Sequence, residues 1–127
     1  IIHHPAYSGG FVSPGVSGVA DYLQLGLLPR IFGADMSIFV SYGGRFTFTE
    51  EQCKRISSYI KRPMGLMKAA CPAPGGGVTD ARLNELVELY GNDTMFLVGG
   101  DMFRRGPDIE ANMSYFVERL TKLSERT

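Results

Sequence analysis

Four times along this chain a short apolar run ends in a glycine-bearing break and gives way to apolar residues at helical spacing. This alternation constrains the fold most, because strands separated by helices run parallel and are joined by right-handed crossovers. The first strand begins at Ile1-Ile2. Its helix is expected from an N-cap at Ser17 to about Phe32, with Val19, Leu23, Gly26-Leu27 and Ile31 on one face. Gly33 is a natural C′ stop, and Pro29 conflicts with a regular last turn. The second strand is 36–41, broken by Tyr42-Gly43-Gly44. Thr49 and Gln52 then form a capping box that opens a helix to about Lys61, with Cys53, Ile56 and Ile60 inward. The third strand is expected at 64–70, followed by a loop at 71–77 and a helix capped by Thr79 or Asp80. That helix carries the stripe Leu83, Leu86, Val87 and Tyr90, and Gly91 stops it. The fourth strand is 94–98, ended by Gly99-Gly100-Asp101. Pro107 suits the first position of a last helix that buries Ile109, Met113, Phe116, Val117, Leu120 and Leu123.

Divided over four units, 127 residues allow about 32 each, close to the roughly 31 of a (β/α)8 barrel. The expected architecture is therefore a single α/β domain, 1–127, forming a (βα)4 half of a TIM barrel. A small open α/β sheet satisfies the same pattern. Thirteen basic and thirteen acidic residues cancel, which argues against a nucleic-acid partner. No apolar run approaches a membrane span. Cys53 and Cys71 make no disulfide framework, and with no secretory signal in view a cytoplasmic chain is expected. A chain that begins Ile1-Ile2 reads as a fragment, a processed chain or one whose beginning is missing.

The 16 glycines are clustered, and the clusters sit where barrel enzymes hold phosphate, in the last two strand-to-helix loops. Gly75-Gly76-Gly77 and Gly99-Gly100 offer bare backbone N–H groups there; the other reading is that they only make tight turns. Asp101 is adverse to an anion. His3 and His4 point to opposite faces of a strand and do not share one metal ion, so no metal ligands are assigned. His4 faces the barrel mouth as a substrate or proton-transfer residue, or is an ordinary hydrogen-bonded histidine. Arg45, Arg104 and Arg105 either neutralise a phosphate or lie solvated on the surface, and Arg45 follows a Gly-Gly hinge. Cys71 has no assured activating base, and Met36, Met64, Met67 and Met95 read as core fillers. There is no G-x-S-x-G elbow, Walker loop or dinucleotide fingerprint.

Five loop motifs, in order, carry a family resemblance: His4-Pro5-Ala6, Gly33-Ala34-Asp35, Tyr42-Gly43-Gly44-Arg45-Phe46, Pro72-Ala73-Pro74-Gly75-Gly76-Gly77 and Val98-Gly99-Gly100. Together they resemble the C-terminal half of the ribulose-bisphosphate carboxylase (RuBisCO) large subunit, and more closely the RuBisCO-like proteins. The resemblance covers essentially the whole chain and implies strands five to eight of a TIM barrel. It implies enolase- or isomerase-type proton transfer on a phosphorylated keto-sugar or thio-sugar, with magnesium in the parent family and no cofactor in the isolated chain. By the same resemblance His4 is the strand-five histidine, Arg45 stands at the mobile loop-six lysine, and Gly75, Gly76, Gly99 and Gly100 hold phosphate. Pro5 replaces a substrate-binding arginine, Ser8 a histidine, Pro74 the serine of a Ser-Gly-Gly loop, and Asp101 a third glycine. These departures argue against CO2 fixation; a true carboxylase fragment is the alternative.

The carbamylated lysine and acidic metal ligands of the family lie on earlier strands, so the isolated chain is expected to lack a complete active site. Half a barrel leaves two open edges and an uncovered sheet face. A homodimer closing an eight-stranded barrel would cover them, as would a complementary N-terminal half. Phosphate or a sugar phosphate is the expected small partner. A phosphate-binding or assembly module without catalysis is the rival reading.

Overall fold

The structure is a computed structural model that describes residues 1–12 and 18–125. Its elements run β1 (Ile2–His3), α1 (Gly9–Val12), a π-helical turn (Tyr22–Leu27) leading into α2 (Leu28–Ile31), β2 (Met36–Val40) and α3 (Glu50–Lys61). Then follow β3 (Cys71–Gly75), a 3-10 turn (Asp80–Arg82) leading into α4 (Leu83–Tyr90), α5 (Gly99–Arg104) and α6 (Ile109–Ser124). The sheet has three strands in the order β1-β2-β3, all parallel, with Met36 opposite both Ile2 and Cys71. The expected parallel α/β class is therefore present.

One face of the sheet is covered. Ser37 and Phe39 alternate inward on β2 and are fully buried against the helices, whereas Met36, Ile38 and Val40 on the other face are half-buried. The core joins Phe39 to Cys53, Ile56 and Ile60 of α3, to Leu83, Leu86, Val87 and Tyr90 of α4, and to Leu25, Phe116 and Leu123. The stripes expected on α3 and α4 are the ones buried. The Thr49–Gln52 capping box is formed in both directions, at 3.2 and 2.9 Å.

The first helix differs from expectation. Ser17 lies outside the described residues, and Asp21 caps the helix by accepting from the Tyr22 N–H at 2.6 Å. Pro29 has no N–H to give the carbonyl of Leu25 four residues back. The turn widens to π geometry, with the Leu28 N–H bonded to the Leu23 carbonyl. The Ser37 hydroxyl donates instead to the Leu25 carbonyl at 2.6 Å. The extra residue rotates the stripe, so Leu25 and Gly26 are buried and Ile31 is exposed. Ser37→Ala is expected to destabilise by ~1–3 kcal/mol, because it orphans a buried carbonyl. A denaturant midpoint close to that of the unsubstituted chain would show that the carbonyl has another partner.

The third strand is not 64–70 but Cys71–Gly75, within the segment expected as a loop. In a parallel strand the N–H and C=O of one residue point to the same side. Pro72 and Pro74 both aim at residues 94–98, where their carbonyls accept from Met95 at 2.9 Å and Leu97 at 3.1 Å. Neither proline can donate back. The expected fourth strand is thereby reduced to a single parallel bridge, Gly75 to Leu97.

On α6 the N-cap is Asp108, which accepts from the Ala111 N–H, so Pro107 precedes the cap rather than opening the helix. Asn112, Phe116 and Leu123 are buried, while Ile109, Met113 and Val117 are 42, 43 and 56 % exposed. Asn112 earns its place by donating to the Met102 and Gly106 carbonyls at 3.0 and 2.9 Å. Met113 and Val117 line an apolar cleft of about 1260 Å³ between α6 and the 94–98 edge. The four methionines expected as core fillers lie outside the buried core: Met67 and Met95 are exposed and Met36 and Met64 half-buried.

Candidate functional site at the carboxyl edge of the sheet

Parallel strands deliver all their outgoing loops to one edge, the usual place for a site in such folds. Here that edge carries His4, the 41–45 loop, Gly75-Gly76-Gly77 and Gly99-Gly100. The Gly75–Leu97 bridge sets the two glycine loops side by side. Gly99 and Gly100 open α5, so their N–H groups belong to a first turn without intrahelical acceptors.

Of the other two expected residues, His4 stands apart from these loops. β1 and β3 flank β2, which puts His4 roughly two strand spacings, about 10 Å, from the Gly75 loop. Its exposed side chain follows His3, whose Nδ1 lies 3.0 Å from the Ser37 hydroxyl. Because that hydroxyl already donates to Leu25, His3 Nδ1 must be the donor, and burial, then the neighbouring His4, lowers the His3 pKa. Alternation leaves His4 on the uncovered face, with Ile2 and Ile38. Arg45 is exposed, its guanidinium 4.9 Å above the ring of its neighbour Phe46.

Asp101 does more than oppose an anion. Its carboxylate accepts from the Asp80 N–H at 2.9 Å and from Arg104 at 2.7 Å, and the backbone bond, then the arginine, lowers its pKa. Thr79 has the extended backbone of an N-cap but makes no side-chain cap bond; Asp101, in the first turn of α5, supplies the acceptor. Asp80 in turn accepts from the Tyr115 hydroxyl at 2.9 Å and lies 3.5 Å from Arg119.

One residue central to this edge went unremarked in the sequence. Arg82 donates from Nη1 to the Tyr42 carbonyl at 2.6 Å and to the Gly77 carbonyl at 3.1 Å. It pairs with Glu85 at 2.9 Å and lies 4.5 Å above the Tyr42 ring. The Tyr42 hydroxyl donates to the same Glu85 carboxylate; burial, then that hydrogen bond, pushes the phenol pKa up to about 12. The two hydrogen bonds, from Arg82 first, hold the Glu85 carboxyl low. Its only sequence signal is its place: a cation at the N-terminus of α4 opposes the helix dipole and needs a compensating use.

A magnesium ion prefers several oxygen ligands in octahedral array. Asp80, Asp101 and Glu85, the carboxylates that follow these loops, are engaged with Tyr115, backbone and cations, and the described residues hold no group of three or more His, Cys, Asp or Glu suited to a metal ion. These residues do not fit a magnesium site. Cys53 and Cys71 are free thiols, and burial raises the pKa of Cys53. No helix among the described residues is long and apolar enough to cross a membrane.

No family model matches the chain. Curated relatives do. Ribulose bisphosphate carboxylase-like protein 1 of Rhodopseudomonas palustris is 34 % identical over 91 % of this chain and 30 % of its own length. The 5-methylthioribulose-1-phosphate isomerase of Rhodospirillum rubrum is 31 % identical over 88 % of this chain and 30 % of its own. A 2,3-diketo-5-methylthiopentyl-1-phosphate enolase of Exiguobacterium sibiricum is 32 % identical over 79 % of this chain and 25 % of its own. Among solved structures, a RuBisCO-like protein from Alicyclobacillus acidocaldarius superposes with a TM-score of 0.85 at 27 % identity, over 99 % of this chain and 31 % of that one. The fold is that of the RuBisCO-like TIM-barrel proteins, and the chain spans about a third or less of the relatives it matches.

Proposed function

The chain belongs to the RuBisCO-like protein family, and on that premise we propose that it forms the phosphate-holding side of a (βα)8 barrel. The complete protein would carry out enolase- or isomerase-type proton transfer on a phosphorylated keto-sugar or its thio analogue. The observation that carries this reading is the placing of Gly75 and Gly76 beside Gly99 and Gly100 at the carboxyl edge. Barrel phosphate sites use backbone N–H groups of loops in this position, which supports the reading. The resemblance to the C-terminal half, and the isomerase and enolase among the relatives, support it.

In this reading His4 contacts a substrate hydroxyl or proton on the uncovered face. Arg45 brings a fixed positive charge from the loop after β2; it neutralises charge but does not donate a proton, because arginine stays protonated. Magnesium would be held by other parts of the complete protein. The open β1 and 94–98 edges would be closed by a second copy or by a complementary N-terminal half, in a cytoplasmic protein.

Inorganic phosphate is the direct test. At tenfold above its dissociation constant it would stabilise the chain by about 1.4 kcal/mol, a rise of several degrees in melting temperature. Sodium chloride at equal ionic strength should not reproduce it. Gly100→Glu should abolish the rise without unfolding the chain, since a side chain there meets nothing within 4 Å. An unchanged melting temperature in phosphate refutes the reading. Light scattering should give a mass near twice 13.9 kDa if copies close the barrel; a monodisperse monomer removes the self-associated form.

A further inference from the structure

We propose that Arg82 is a positioning residue that locks the loop after β2 to the loop after β3, so that residues 42–44, at the base of the Arg45-bearing loop, and the Gly75–Gly77 loop move as one body. The inference stands on geometry that does not depend on phosphate binding. One guanidinium donates to a carbonyl in each loop, Tyr42 and Gly77. Glu85 orients it from below through a two-pronged pair, and the Tyr42 ring covers its face. A planar fork with several donors can hold two carbonyls and a carboxylate together; an ammonium cannot do so from the same stem.

The backbone is shaped for the same contact. A Cβ on Gly44 would lie 2.9 Å from the Gly77 nitrogen, and one on Gly43, at φ +74°, would lie 2.5 Å from Arg82 Nη1. Two glycines thus admit the guanidinium and the facing loop where any side chain would exclude them. Arg45 is one residue beyond Gly44, so the lock ends where the exposed part of that loop begins. A hinge at Gly43-Gly44 is thereby fastened at its base, and motion is left to the segment after it.

Arg82→Met removes the fork and keeps the stem; Arg82→Lys keeps the charge without the fork; Gly43→Ala expels the guanidinium while leaving Arg82 itself intact. Each is compared with the unsubstituted chain by backbone 15N relaxation and by trypsin cleavage after Arg45. In the unsubstituted chain Gly43, Gly44, Gly76 and Gly77 should show order parameters near the ~0.85 of rigid backbone. In all three variants they should fall together, towards ~0.6 or below, while β2 and α3 stay unchanged. Cleavage after Arg45 should quicken by roughly ten- to a hundredfold, the loss expected when hydrogen bonds to a charged group are removed. If one loop loosens and the other does not, or if Arg82→Lys behaves like the unsubstituted chain, the coupling by the fork is refuted. A loosening spread over the whole chain would also overturn it, because Arg82 would then be a general stabiliser.

Discussion

Phe39→Ala is expected to leave much of the chain unfolded at 37 °C. Phe39 is 1 % exposed on the covered face of β2, packed in one core with α3 and α4, and meets Tyr90 edge to face at 5.8 Å. It is the largest side chain linking the sheet to both helices, and its neighbours Cys53, Ile56 and Leu83 are fully buried. Truncation of a buried phenylalanine costs about 3–5 kcal/mol, partly through the cavity that the surroundings fail to fill. Small domains have only about 5–15 kcal/mol in total. One uncovered sheet face and two open edges place this chain towards the lower end of that range. Phe39→Leu, which keeps most of the volume, should cost less than about 1.5 kcal/mol. Denaturant unfolding followed by circular dichroism separates the two. A midpoint for Phe39→Ala close to that for Phe39→Leu would mean that the core is not organised around β2.

Gly77→Ala should be the most damaging glycine substitution at the carboxyl edge, at about 2–5 kcal/mol. Gly77 has φ +72°, where a Cβ costs about 1–2 kcal/mol. The added carbon would also stand 2.7 Å from the nitrogen and 2.9 Å from the Cα of Gly44. Those are backbone atoms, which cannot rotate aside like the end of a side chain, so overpacking adds about 1–3 kcal/mol. Gly100→Ala is the contrast: it lies in α5 with open space around it, and alanine there should be neutral or stabilising by up to about 1 kcal/mol. Equal melting temperatures for the two variants would show that the 41–45 and 75–77 loops do not touch in solution.

That the glycine loops share one edge was legible because it is topological: glycines after successive parallel strands arrive at one edge wherever the strands begin. The rest of the candidate site was less legible. His4 reaches the same edge but not the same place, since β2 stands between it and the glycines, and Arg45 is exposed on the loop after β2. Asp101 could be read only as a charge adverse to an anion. Its engagement with the Asp80 N–H joins residues 21 apart, and no local spacing signals it. Arg82 and Tyr42 are 40 residues apart and meet for the same reason.

By itself the sequence determined what depends on near neighbours. The Thr49–Gln52 box, the stripe of α4 and the stop at Gly91 each concern groups within about one helical turn, and all three formed as expected. The repeated alternation determined the parallel α/β class, because chain direction follows from the connections alone. Tertiary structure decided whatever depends on a distant partner. Two prolines in 71–75 are compatible with a strand only because the missing donors face one neighbour and leave the bonds to β2 intact. The Pro29 helix is a π turn because Ser37, on another element, satisfies the released carbonyl. The last helix buries Asn112 and exposes Met113 because two carbonyls wait on one side and the open 94–98 edge lies on the other. In each case a hydrogen-bonding group must be satisfied, and only the folded chain determines by what.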